Sequence, residues 1–153
     1  MSKPWCRRCA KCCYVWLGFQ TYLGLRSTKL QININEVFGN ENLLDIDENQ
    51  IFFEEMAGFH TNNAMECVGA IDETRIMLNI LAEAGFNGRF IETYKKSKQY
   101  LAKNELITAI NEYTSIDKKD EHIPQKLRKP LLDLFQKIRL HALEFFRLQG
   151  IPI

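Results

Sequence analysis

Cys6, Cys9 and Cys12 stand in the run Cys6-Arg7-Arg8-Cys9-Ala10-Lys11-Cys12, near the start of a 153-residue chain. A packed core has no need of thiols at this spacing. A soft, tetrahedral metal site does, because a short turn aims neighbouring sulfurs at one point, where zinc binds thiolates at about 2.3 Å. Arg7, Arg8 and Lys11 lie between the three sulfurs. They are expected to lower the thiol pKa values and to offset the charge of a thiolate site.

A structural zinc site wants four ligands. The candidates for the fourth are Cys67, His60, Cys13 and a cysteine upstream of Met1. Cys13 is the weakest, since adjacent residues rarely aim at one ion. Cys67 is chemically best matched: it would complete a four-sulfur site and tie a central loop to the N-terminal turn. The plainer reading of a free cysteine is a small buried hydrophobe. An iron–sulfur cluster is the rival metal, but bacterial ferredoxins place a proline after the last cysteine. None follows Cys12 or Cys67, which favours zinc.

The polar loop Gly58–Gly69 gathers His60, Glu66 and Cys67 between two helical stretches, a usual place for binding residues. His60 and Glu66 are the candidate catalytic groups. Taken alone, His60 is more often a hydrogen bonder that steadies a loop, and Glu66 a solvated charge. Asp72, Glu73 and Arg75 read first as helix-capping and surface chemistry. His122 and His141 have no partners in sequence. The chain has no Gly-rich phosphate loop, no His-Glu-x2-His and no Gly-x-Ser-x-Gly.

The elements that must position these residues are helices. An aromatic, apolar helix over 12–25 opens out of the cysteine turn, with Gly24 at its end. Short helices follow at 32–38, closed by Gly39-Asn40, and at 48–56, with Asp45-Ile46-Asp47 as N-cap and Ile51, Phe52 and Phe53 on one side. Asp72 can cap a helix over 73–84 carrying Ile76, Met77, Ile80 and Leu81. A basic amphipathic helix is predicted over 90–103 and another helix over 105–113. The longest, over 125–148, starts after Pro124, and Pro130 kinks it or marks its real start. No strand-type alternation appears. The expected fold is all-α: a cysteine knuckle and first helix over 1–25, then a helical domain over 26–153 with the polar loop at 58–69. A metal knuckle usually sits on something, and nothing precedes this one, so the chain is expected to be the C-terminal region of a larger α/β protein.

Composition narrows the function classes. The chain is 46% hydrophobic and 25% charged, with a net charge of +1. That balance argues against generic nucleic-acid binding. No apolar run approaches the ~18 residues of a membrane span. An odd number of cysteines, mostly clustered, is no disulfide framework, so a reducing cytoplasm is the expected compartment.

Three features occur in order: a Cys-x2-Cys-x-Lys-Cys knuckle running into an aromatic helix, the segment Phe38-Gly39-Asn40-Glu41-Asn42-Leu43-Leu44, and a Gly-x-His loop ending in Glu66-Cys67-Val68-Gly69 with Asp72 and Glu73 after it. This order resembles the C-terminal part of the UDP-N-acetylmuramoyl-L-alanyl-L-glutamate epimerases of bacterial peptidoglycan synthesis. The knuckle alone is also similar to that of the 7-cyano-7-deazaguanine synthases, in the ATP-pyrophosphatase group. The epimerase resemblance covers about the first half of the chain. It implies Cys6, Cys9 and Cys12 as zinc ligands, and His60, Glu66 and Cys67 near the active site or metal. It implies a nucleotide-sugar dipeptide substrate whose terminal L-glutamate is inverted, with ATP and Mg²⁺. The Ser-Gly-Gly-x-Asp-Ser type loop for the nucleotide is not in this sequence, so that site would lie outside the chain. Two other classes remain: a free-standing zinc knuckle that binds RNA or protein through Arg7, Arg8 and Lys11, and part of an ATP-pyrophosphatase-type enzyme acting on a deazapurine or a tRNA.

Overall fold

The computed structural model describes residues 5–22, 34–60, 70–113, 124–148 and 150. Among them are helices and no strand, so the fold is all-α. The chain divides into two compact units, Met1–Ala102 and Lys103–Ile153.

The first unit opens with α1, Ala10–Tyr22. Then come α2, Ile34–Phe38, a 3-10 turn at Leu43–Asp45, and α3, Asp47–Met56. It closes with α4, Ile71–Glu83, and α5, Arg89–Lys95. α1 packs on α3 and α4, and the 3-10 turn packs on α3 and α5. Trp16, Leu17, Phe38, Leu43, Leu44, Phe53, Leu78, Leu81 and Phe90 form the core between them. Phe53 stacks on Phe90 with ring centroids 5.4 Å apart, and Phe19 meets Phe38 edge-on at 5.7 Å. Such tilted and offset pairs add to plain area burial.

The expected stripe of α4 is in place: Ile76, Met77, Ile80 and Leu81 are all buried. On α3 the expectation fails. Consecutive helical residues step by about 100°, so Ile51, Phe52 and Phe53 cannot share a face. Asn49, Phe53 and Met56 are buried instead, at helical spacing, and Ile51 is exposed.

The expected caps also differ. α4 starts at Ile71 behind an extended Ala70, without a side-chain cap, so Asp72 lies inside the first turn. α3 starts behind Ile46, also without a side-chain cap. Asp45 works elsewhere: its Oδ1 accepts the backbone N–H of Arg89, the first residue of α5, at 2.6 Å. Both departures leave acidic groups where helix N-termini favour them.

The helix expected over 90–103 stops at Lys95. Ser97 turns the chain: its hydroxyl donates to the Tyr94 carbonyl at 2.8 Å and accepts the Gln99 N–H at 3.2 Å. A serine that hydrogen-bonds its own backbone competes with helix. Gly39 ends α2 as expected, and Gly85 follows α4, both with φ of 76°.

The second unit holds α6, Lys103–Tyr113, and α7, Gln125–Leu148. α7 runs unbroken through Pro130, which has no N–H to return to the Lys126 carbonyl. Leu127, Leu134, Leu140 and Leu148 are exposed along it. No helix of the described residues is long and apolar enough to cross a membrane.

Candidate metal centre

Cys9 sits at the N-cap of α1, since its carbonyl accepts the Cys13 N–H at 3.0 Å. Cys12 is therefore in the first turn, where its side chain lies beside that of the N-cap. Cys6 comes back to both through a tight bend. Arg7 makes that bend with φ of 61°, a left-handed conformation that a side chain rarely adopts. The Cys6 sulfur then lies 3.3 Å from that of Cys9 and 3.4 Å from that of Cys12. All three sulfurs are within 4.8 Å of one another.

Four thiolates around zinc at 2.3 Å would stand about 3.8 Å apart. The triangle fits one face of such a tetrahedron after small adjustments, and the donor set is soft. Cys6 is exposed, Cys9 half-buried and Cys12 buried, so the face opens toward solvent. All four described cysteines are free thiols.

The bend is fastened from outside. The Arg7 guanidinium donates to the Phe38 carbonyl at 3.2 Å and pairs with Glu41 at 3.1 Å. Arg8 reaches the other Glu41 oxygen at 3.3 Å. Asn49, fully buried on α3, donates to the Arg7 carbonyl at 3.0 Å and to the Leu43 carbonyl at 3.3 Å. Asn42 caps the 3-10 turn, accepting the Leu44 N–H at 3.1 Å.

The electrostatics differ from the expectation that arginine charge tunes the thiols. The Cys6 pKa is lowered first by the backbone N–H of Arg8 and then by the neighbouring thiols. Burial pushes Cys12 up to about 11, against the opposing pull of the Arg7 backbone N–H. Burial pushes Cys13 up to about 12. Arg7 and Arg8 instead direct their guanidinium groups at Glu41, because a carboxylate is the stronger partner for that fork. A soft ion entering the site must displace protons, from Cys12 in particular.

Cys13 is not in the cluster; it is fully buried in the core formed by α1 and its neighbours. Nor is His60, which is exposed at the end of α3 with Nε2 3.1 Å from the Glu54 carboxylate. Glu66 and Cys67 lie outside the described residues. Sequence reading missed Glu41 and Asn49 as supports of the bend. Glu41 stood inside the segment that carried the resemblance, whereas Asn49 had no signal beyond its polarity on a helix face.

Comparisons bear on this arrangement. Residues 1–109 match the family described as the MurL C-terminal domain. The chain is 32% identical over 83 residues to a UDP-N-acetyl-alpha-D-muramoyl-L-alanyl-L-glutamate epimerase of Micromonospora sp., covering 54% of this chain and 17% of that relative. It is 30% identical over 82 residues to the protein of the same name from Salinispora tropica, covering 54% of this chain and 16% of the relative. The chain thus spans about a sixth of the length of the curated relatives it matches. No solved structure matches it. The family match takes in the cysteine bend, its fastening on Glu41 and Asn49, and the whole helical core of the first unit, and on that extent the chain belongs to the MurL C-terminal domain family.

Proposed function

We propose that this chain is the C-terminal part of a cytoplasmic, ATP-dependent epimerase. The enzyme converts the terminal L-glutamate of UDP-N-acetylmuramoyl-L-alanyl-L-glutamate to D-glutamate in peptidoglycan precursor synthesis. The observation that carries this reading is the family match over residues 1–109, together with the names of the two relatives. In this proposal the nucleotide and Mg²⁺ bind outside these residues. The chemistry is activation of a glutamate carboxylate, which acidifies the α-proton and lets it leave and return.

Within the chain, Cys6, Cys9 and Cys12 hold a structural zinc, with Cys67 as the proposed fourth ligand. The supporting geometry is the sulfur triangle closed within 4.8 Å. Zinc would supply no reaction step here; it would hold the start of α1 against the Phe38–Leu44 segment and α3. His60 and Glu66 are the proposed proton-handling residues. The exposed His60–Glu54 pair leaves the imidazole accessible to a substrate.

The alternative of a free-standing RNA-binding knuckle is less well supported. The two arginines that would meet phosphate are both paired with Glu41.

Restoring the rest of the enzyme to this chain tests the reading. With ATP and the dipeptide substrate in heavy water, deuterium should enter the α-position of the terminal glutamate. The chain alone should give no exchange. A complete enzyme that shows no ATP-dependent exchange would refute the assignment. Elemental analysis tests the metal separately: near-stoichiometric zinc in a colourless sample is expected, and a brown, iron-bearing sample would replace zinc by an iron–sulfur cluster.

A further inference from the structure

An open cleft of about 310 Å³ lies between α1 and α4, away from the sulfur cluster. Its described lining includes Tyr14, Gly18, Phe19 and Tyr22 from α1, and Glu73 and Met77 from α4. That volume is at the small end of ligand-binding pockets. Among the described residues of the lining almost all are aromatic or aliphatic, and Glu73 is the one charged group. Tyr14 donates its hydroxyl proton to the Glu73 carboxylate. Among the described residues, the ion pairs of Arg7 and Arg8 with Glu41, His60 with Glu54, Arg89 with Asp47 and Lys95 with Glu92 leave Glu73 aside.

Gly18 is the second observation. It sits in mid-helix, where glycine is among the least favourable residues. Its backbone is not in the left-handed region that would call for glycine. Among the described residues, a Cβ there would meet the Met77 sulfur alone, at an ordinary 3.9 Å. Neither the backbone of α1 nor its packing on the described residues requires the glycine. What the missing side chain leaves is room in the lining of the cleft.

We propose that this cleft binds a small organic cation, with its apolar body over Gly18 between Phe19 and Met77 and its ammonium group at the Glu73 carboxylate. Aromatic faces attract an ammonium through their quadrupole, most strongly where water is thinned out. The carboxylate supplies the opposite charge, and Tyr14 holds that carboxylate in place. This inference goes beyond the epimerase reading, and its test requires neither ATP nor the rest of an enzyme.

The test is a titration of the whole chain, labelled with nitrogen-15, with benzylammonium and with its neutral analogue benzyl alcohol. Benzylammonium should shift the amides of Gly18, Phe19 and Met77 and bind at least tenfold more tightly than benzyl alcohol. Glu73→Gln should reduce benzylammonium to the level of the alcohol. Gly18→Leu should abolish binding of both probes. Gly18→Ala, which suits a helix, should keep the fold and weaken both. Equal affinity of the two probes, no binding of either, or binding unchanged in Glu73→Gln or in Gly18→Ala would overturn the proposal.

Discussion

The side-chain amide of Asn49 donates to the carbonyl of Arg7 at 3.0 Å, across 42 positions of sequence. Arg7 is the residue with the left-handed backbone in the cysteine bend, so α3 holds the strained point of the candidate metal site. The same amide donates to Leu43, which puts two buried or half-buried carbonyls on one side chain.

Replacing Asn49 by Leu keeps the volume and removes both donors. Leaving acceptors unsatisfied away from water costs about 1–3 kcal/mol each. Leucine also removes the buried Asn49 Oδ1, which has no partner among the described residues, so a net loss of about 1–2 kcal/mol in urea unfolding is expected, together with weaker zinc binding. Unchanged values for both would show that the bend holds itself.

Metal loading should organise the start of the chain and little else. Structural zinc contributes on the order of 10–16 kcal/mol of apparent binding energy in finger peptides. Cys9→Ser should lower the zinc content and speed hydrogen exchange through Ala10–Tyr22, while the amides of Gln125–Leu148 keep their protection. Uniform protection in this variant would mean that no metal organises the bend.

Gly39 and Gly85 make a matched pair of tests. Both have φ of 76°, so alanine at either strains the backbone by about 1 kcal/mol. At Gly85 no described residue lies within 4 Å of an added Cβ, whereas at Gly39 that atom would collide with the Arg7 guanidinium. Gly39→Ala should therefore cost more than Gly85→Ala, and the excess should shrink in an Arg7→Ala background. Equal costs would remove Arg7 from the account.

Alkaline pH should destabilise the first unit. The Tyr94 hydroxyl lies 2.7 Å from Asn79 Oδ1 and 3.0 Å from the Gln99 carbonyl. Burial drives its pKa well above the ordinary 10.0. The folded state keeps a phenol proton that the unfolded chain releases near pH 10. This stabilisation is complete below that pH and is lost as pH rises through the folded value. Urea midpoints should fall as pH rises above about 10, and Tyr94→Phe should flatten that fall while lowering the plateau by about 1–2 kcal/mol. A midpoint independent of pH above about 10 would contradict the burial of this phenol.

The parts of the fold that were legible in sequence are those governed by local rules. The cysteine triangle follows from spacing, because a bend and the first turn of a helix already bring Cys6, Cys9 and Cys12 together. The α4 stripe follows from its period. What sequence did not show depends on partners distant along the chain. Asp45 was read as a cap for the helix next to it and instead receives the N–H of Arg89. Arg7 and Arg8 were read as charges for the thiols and instead meet Glu41, because charge alone does not say which way a long side chain turns. The end of α5 was missed because Ser97 breaks the helix through its own hydroxyl, with neither glycine nor proline at the break.

The fastening of the bend also sets an order of events at the ribosome. The three cysteines emerge before Phe38, Glu41 and Asn49, which hold the left-handed turn at Arg7. Contacts between distant positions form only after the chain between them is available. A nascent chain that has shown no more than α1 therefore offers its sulfurs on an unheld turn. The sulfur triangle is held from outside only once α3 has been made.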